Sequence, residues 1–162
     1  MSDGTARPLN PRPPNPRSLA SIFGHPLHVM LVPVPIACFA GALVTDIAYA
    51  CSDNLQWASF SSWLLTVGII VAALAALFGI IDLLGDGRIR VLRAAWIHVL
   101  GNIVVLLLAL LDTLIHTRDG YTGVMPSGLV LSAIIVLVLL VTGWNGWSMV
   151  HRHRVGVLET PP

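Results

Sequence analysis

Ionisable side chains recur inside stretches of this sequence that are otherwise apolar. His28 and Asp46 fall in one such stretch, Asp82 in a second, and His98, Asp112 and His116 in a third, with His25 just ahead of the first. Imidazoles and carboxylates bind metals, carry protons and pair with one another. Set among apolar residues they are costly, and so are candidates for function. Their spacing groups them. His28 and Asp46 are eighteen residues apart, as are His98 and His116. That interval is five turns of α-helix, so each pair shares one helix face with its members at opposite ends. Asn102 follows His98 by four and Asp112 precedes His116 by four, so one stripe runs His98, Asn102, Val105, Ala109, Asp112, His116.

The charges define the elements that must carry these residues. The chain has 162 residues, 56% hydrophobic and 10% charged, with a mean hydropathy of +0.82. A soluble domain carries about 25% charge, and this one lacks the polar groups to cover its surface. Its apolar content excludes a disordered chain, and two cysteines exclude a disulfide scaffold. A net charge of +1, with the Arg residues not gathered on one amphipathic face, argues against nucleic acid as a partner. An integral membrane protein remains, with the lipid bilayer as its first partner. Residues 18–45, 54–81, 94–111 and 120–151 carry no Asp, Glu, Lys or Arg. About 20 apolar residues cross the hydrocarbon as helix, and the backbone must satisfy its own hydrogen bonds there. The predicted spans are 27–50, 60–84, 94–116 and 127–150.

The short connections make sequential helices antiparallel neighbours, which gives an all-α, up-down-up-down four-helix bundle. Residues 1–24, with Pro8, Pro11, Pro13, Pro14 and Pro16 among Arg7, Arg12 and Arg17, read as a disordered or polyproline-like tail. The membrane domain takes residues 25–155, and 156–162 form a short C-terminal tail. No internal repeat is visible. Ala48-Tyr49-Ala50-Cys51 resembles a signal cleavage site, but the apolar run before it is longer than a signal peptide's core. Cys38 and Cys51 stand about 20 Å apart on one helix and cannot pair.

Eight of the nine Arg residues fall in the N-terminal tail, the second loop (Arg88, Arg90, Arg93) and the C-terminal tail (Arg152, Arg154); Arg118 alone falls elsewhere. The positive-inside rule then makes both termini cytoplasmic. On this topology His28, Asp82, His98 and Asn102 collect in the cytoplasmic half. Asp46, Asp112 and His116 collect in the outer half. Two polar layers are expected, with an apolar middle between them. Gly68, Ala72, Ala75, Ala76 and Gly79 give the second span a close-packing face. Pro33 and Pro35 should interrupt the first span and free carbonyls near Val29 and Leu31.

Gly24-His25-Pro26-Leu27-His28, continuing to Leu31-Val32 and Pro35-Ile36-Ala37 and followed by Asp46, resembles the opening of a bacterial membrane-protein family catalogued as domain of unknown function 2231. Gly79-Ile80-Ile81-Asp82, Ala95-Trp96-Ile97-His98 with Asn102, and Thr142-Gly143-Trp144 running to His151-Arg152-His153-Arg154-Val155-Gly156-Val157 extend the resemblance to roughly residues 22–157. It implies a multi-pass protein of the bacterial inner membrane. Members that carry a fused iron–sulfur domain or lie near membrane-linked dehydrogenases imply redox traffic, with a dehydrogenase or a quinone as partner.

Three readings follow. In the first, the chain is a small b-type cytochrome-like electron-transfer subunit. Haem b sits between His28 and His98, with His25 and Asn102 nearby, and arginines meet the propionates; a quinone approaches Asp46, Asp112 and His116. In the second, His25, His28, Asp82 and His98 hold a non-haem metal, or the two layers relay protons. In the third, the buried groups only pin helix register in a membrane anchor or assembly partner. The sequence has no nucleophile elbow, phosphate loop or catalytic carboxylate pair, so a stand-alone enzyme is not expected.

Overall fold

The computed structural model of the chain describes residues 14–118 and 123–157. Arg7, Arg12 and most of the Pro-rich tail, Gly120 in the third loop, and the last five residues of the C-terminal tail lie outside the described residues. A hairpin of β1 (Ser21–Ile22) and β2 (His25–Pro26) precedes α1 (Leu27–Leu31), α2 (Pro33–Ser52), α3 (Leu55–Gly85), α4 (Gly87–Arg90), α5 (Arg93–His116), a wide turn at Val124–Gly128, and α6 (Leu129–His153). Among the described residues four helices are long and apolar enough to cross a membrane: Leu27–Ser52, Leu55–Gly85, Arg93–His116 and Val124–His153.

These agree with the predicted spans, with one early start. α3 begins at Leu55 rather than near residue 60, because Asn54 caps it: the side-chain oxygen accepts from the Gln56 amide at 3.0 Å. Asp53, in the left-handed region, closes α2 immediately before, so the first connection is only two residues long. The first span is interrupted where expected. Pro33 and Pro35 have no amide hydrogen, so the carbonyls of Val29 and Leu31 lose the donors that a regular helix would offer. Val32 bridges the break by donating to the His28 carbonyl at 3.1 Å.

α2 packs on α3 and α5 on α6, and the two hairpins close a ring through α3 against α5 and α2 against α6. Phe39, Ala42, Leu65, Val105, Ala109 and Ile135 fill the centre. Leu83, Ile89 and Ala95 form a second cluster near one end. The outward faces remain apolar and exposed, as with Val44, Leu77, Leu107 and Leu137, which suits contact with lipid.

The buried positions reveal an internal repeat that residue identity conceals. Pro35, Phe39, Ala42 and Asp46 of α2 correspond to Val105, Ala109, Asp112 and His116 of α5, each seventy positions later. Ser61, Leu65, Gly68 and Ala75 of α3 correspond to Gly128, Ser132, Ile135 and Thr142 of the last span, each sixty-seven positions later. The bundle is thus two helical hairpins in parallel orientation, related by a pseudo-two-fold axis along its length.

One end is tied together by polar contacts. Residues 14–24, assigned by composition to the tail, run as a strap over this end as far as they are described. Ser18 Oγ and the Ala20 amide donate to Asp82 at 2.8 and 2.9 Å, and the Arg17 amide donates to Asp86 at 3.0 Å. The Gly156 amide donates to the Pro16 carbonyl at 2.9 Å, and Arg88 donates to the Pro14 carbonyl. Hydrogen bonds from the Arg88 side chain hold the Asp86 carboxyl well below the usual carboxylate range. Arg17, Arg88, Arg90, Arg93, Arg152 and Arg154 therefore share one end of the bundle.

At one close helix contact, Gly68, a Cβ would stand 2.7 Å from the Phe39 ring; Gly143 has nothing within 4 Å. Gly68→Val should destabilise the bundle by about 1–3 kcal/mol through overpacking, read as a lower thermal unfolding midpoint in detergent. Gly143→Ala should leave that midpoint unchanged or raise it slightly.

Candidate functional site

The structure sorts the embedded ionisable residues into two places. At the arginine-rich end His28, from α1, and His98, from α5, face each other, with ring centroids 5.9 Å apart and planes at 85°. His28 Nδ1 lies 2.7 Å from the Ala75 carbonyl of α3, and His98 Nδ1 lies 2.9 Å from the Thr142 carbonyl of α6. A carbonyl oxygen only accepts, so both Nδ1 atoms carry hydrogen and donate. The neutral ring then keeps its lone pair on Nε2. Each carbonyl belongs to a helix that has glycine four residues on, and the ring rests against that glycine. A Cβ at Gly79 would lie 3.0 Å from His28 Nδ1, and one at Gly146 would lie 2.9 Å from His98 Cε1. Ala75 and Thr142 are equivalent in the repeat, as are Gly79 and Gly146. The two imidazoles are therefore held in the same way on either side of the pseudo-two-fold axis.

Both rings line a cavity of about 170 Å³ that extends toward the bundle centre past Val32, Pro35, Phe39 and Val105 and includes Asn102. Its walls are almost wholly apolar. Asn102 donates to the His98 carbonyl at 2.7 Å on its own helix, so it is Thr142, not Asn102, that orients the His98 ring. Asp82 also borders the cavity, but its carboxyl accepts from Ser18 and Ala20. His25 is exposed on β2. Among the described residues no group of three or more His, Cys, Asp or Glu is arranged to hold a metal ion. The expected quartet is thus split: His28 with His98, Asp82 with the strap, and His25 on the hairpin.

At the other end Asp46 from α2, Asp112 and His116 from α5 and Ser132 from α6 form one sealed cluster. Asp46, Asp112 and His116 are fully buried and Ser132 is 1% exposed. His116 Nε2 lies 2.9 Å from Asp46 Oδ1. His116 Nδ1 donates to the Asp112 carbonyl at 3.0 Å and lies 3.0 Å from Asp112 Oδ1. Because the N–H is aimed at the carbonyl, Asp112 Oδ1 is buried without a hydrogen bond. Ser132 Oγ lies 2.6 Å from Asp46 Oδ2 and 2.9 Å from Asp112 Oδ2. Thr45 and Ser61, in contact at 2.6 Å, are buried beside Asp46, and Ser62 of α3 donates to the His116 carbonyl at 3.4 Å. A third glycine serves here: a Cβ at Gly128 would lie 2.5 Å from His116 Cε1.

The sequence pointed to Asp46, Asp112 and His116 but missed Ser132, Gly128, Ala75 and Thr142. Of these four only Ser132 contributes a polar side chain to the clusters. The others matter through a carbonyl or a missing Cβ, which leave no mark in residue chemistry. The apolar layer of Phe39, Leu65, Val105 and Ile135 separates the two clusters.

A family model described as "Predicted membrane protein (DUF2231)" matches residues 24–159. No curated protein and no solved structure matches the chain.

Asp46 is the common partner of His116 and Ser132. Removing one member of a buried pair destabilises by about 3–5 kcal/mol, so Asp46→Ala should lower the unfolding midpoint in detergent sharply. Thr117→Ala, at the exposed end of α5, should change stability by less than about 0.5 kcal/mol.

Proposed function

This chain belongs to the family of predicted membrane proteins named DUF2231, and from that premise we propose that it is a small electron-transfer subunit of the bacterial inner membrane in which His28 and His98 hold a haem b. One observation carries the reading: two imidazoles at equivalent positions of the repeat both donate Nδ1–H to a backbone carbonyl and leave Nε2 open. Metal-binding histidines have this arrangement, in which the second nitrogen fixes tautomer and ring orientation. His28 and His98, with ring centroids 5.9 Å apart, would be the two residues that hold the metal.

The surroundings support the same reading. Haem b supplies a one-electron centre when bound. The apolar walls from Val32 to Val105 exclude water from it, which favours a group that changes charge by one electron without taking up solvent. Arg90, Arg93 and Arg152 stand at the same end to meet propionates, while the Arg88 fork is engaged by Asp86. The positive-inside rule sets this end in the cytoplasm, within reach of a membrane-linked dehydrogenase; a quinone is the second partner class. The non-haem metal reading is weaker, because Asp82 and His25 are directed elsewhere.

The test is a visible spectrum of protein purified after haem-supplemented expression. A Soret band is expected in wild type and in His25→Ala, and its loss is expected in His28→Ala and in His98→Ala. A folded wild type with no Soret band, or one that contains stoichiometric copper or zinc and no iron, contradicts the proposal.

A further inference from the structure

The sealed cluster at the other end plays no part in holding His28 or His98, and its hydrogen bonds do not balance unless a proton is added. Ser132 has one hydroxyl hydrogen, yet its oxygen is within hydrogen-bond distance of two carboxyl groups, at 2.6 Å from Asp46 and 2.9 Å from Asp112. It can donate to only one of them. The other contact is a hydrogen bond only if that carboxyl donates to Ser132. With both acids ionised, two oxygen lone pairs would face each other in a site shut off from water, and unpaired buried polar contacts of this kind are strongly disfavoured.

Charge leads to the same count. His116 Nε2 and Asp46 Oδ1 share one proton at 2.9 Å, so that pair is neutral as a unit wherever the proton lies. An ionised Asp112 would add one uncompensated negative charge to a fully buried site. A protonated Asp112 removes it. Among the described residues, the groups that face the cluster are Asp46 and Thr45 from α2, Ser61 and Ser62 from α3, Asp112 and His116 from α5, Ser132 from α6 and Gly128 from the turn before it. None of them is a second cation. Asp112 Oδ1, buried without a hydrogen bond, identifies which acid is protonated: the carbonyl oxygen of a neutral acid needs far less from its partners than a carboxylate oxygen does.

We infer that Asp112, Ser132, Asp46 and His116 form a proton-holding site within the bilayer, with one carboxylic-acid proton on Asp112 at neutral pH and Ser132 as its route to Asp46. Transfer is balanced within the cluster. The Asp112 Oδ2–H bond breaks as Ser132 Oγ takes that proton, and the Ser132 hydrogen passes to Asp46 Oδ2. Afterwards the serine hydroxyl is restored, pointing the other way, and the charge has moved from Asp46 to Asp112. The ligand of this site is the proton itself, and the site does not depend on what His28 and His98 bind.

Infrared spectroscopy of the purified full-length protein, with and without carboxyl-13C aspartate, reads this proton directly. At neutral pH the wild type should show a protonated-carboxyl C=O band that shifts with the label and in D2O. Asp112→Asn should lose the band and Asp82→Asn should keep it. Absence of the band from wild type, or its full retention in Asp112→Asn, overturns the inference. If Asp112→Asn does not fold, Ser132→Ala decides: removal of the hydrogen-bond acceptor should move the band to higher frequency, and an unmoved band overturns the inference. Haem-free protein should give the same spectrum in this region, so failure of the haem proposal leaves this test intact.

Discussion

An imidazole can reach a backbone carbonyl across a helix–helix contact only where the facing helix leaves room for the ring. His28 and His98 are subject to this constraint and meet Gly79 and Gly146; His116, whose carbonyl partner is on its own helix, reaches the Asp46 carboxyl across the contact and rests against Gly128. The glycines set how near the helices come, and that approach sets which nitrogen each histidine presents. Lipid supplies no hydrophobic drive between helices, so association rests on close packing and a few polar bonds. Here both act at the same places. The bundle therefore cannot be repacked at these contacts without turning the rings.

The repeat gives these contacts their two different outcomes. At the arginine-rich end the equivalent positions hold the same chemistry, His28 and His98, each donating to an equivalent carbonyl. The result is a pair of like groups across an axis, and among the described residues neither Nε2 has a hydrogen bond. At the opposite end the equivalents have diverged. Asp46 and His116 occupy matching positions and meet as acid and base, and Asp112 and Ser132 stand where the first hairpin has Ala42 and Leu65. The symmetric end suits a ligand that takes two identical donors. The asymmetric end suits an occupant that chooses between two carboxyls. The apolar layer between them keeps the two chemistries apart.

Much of this was legible in the sequence because charge is so scarce. Four runs without charge gave the spans to within a turn, except where Asn54 starts α3 early. The eighteen-residue spacings gave the two layers, and the arginines gave the end they share. The repeat was not legible, because burial recurs while identity does not: Phe39 matches Ala109, and Ser61 matches Gly128. The role of Asp82 was hidden because its partners, Ser18 and the Ala20 amide, lie in a segment whose proline content reads as a loose tail. Ala75 and Thr142 were invisible as site residues because they act through main-chain carbonyls. The departures thus fall where function rests on backbone and on absent side-chain atoms.

The central claim is that His28 and His98 are fixed as Nδ1–H donors with Nε2 open. Nitrogen-15 NMR of histidine-labelled protein in lipid, with His28 and His98 assigned by single substitution, measures this directly. Both residues should show a protonated Nδ1 and an Nε2 that is either unprotonated or shifted by a bound metal. A neutral ring with its hydrogen on Nε2 at either position would contradict the account.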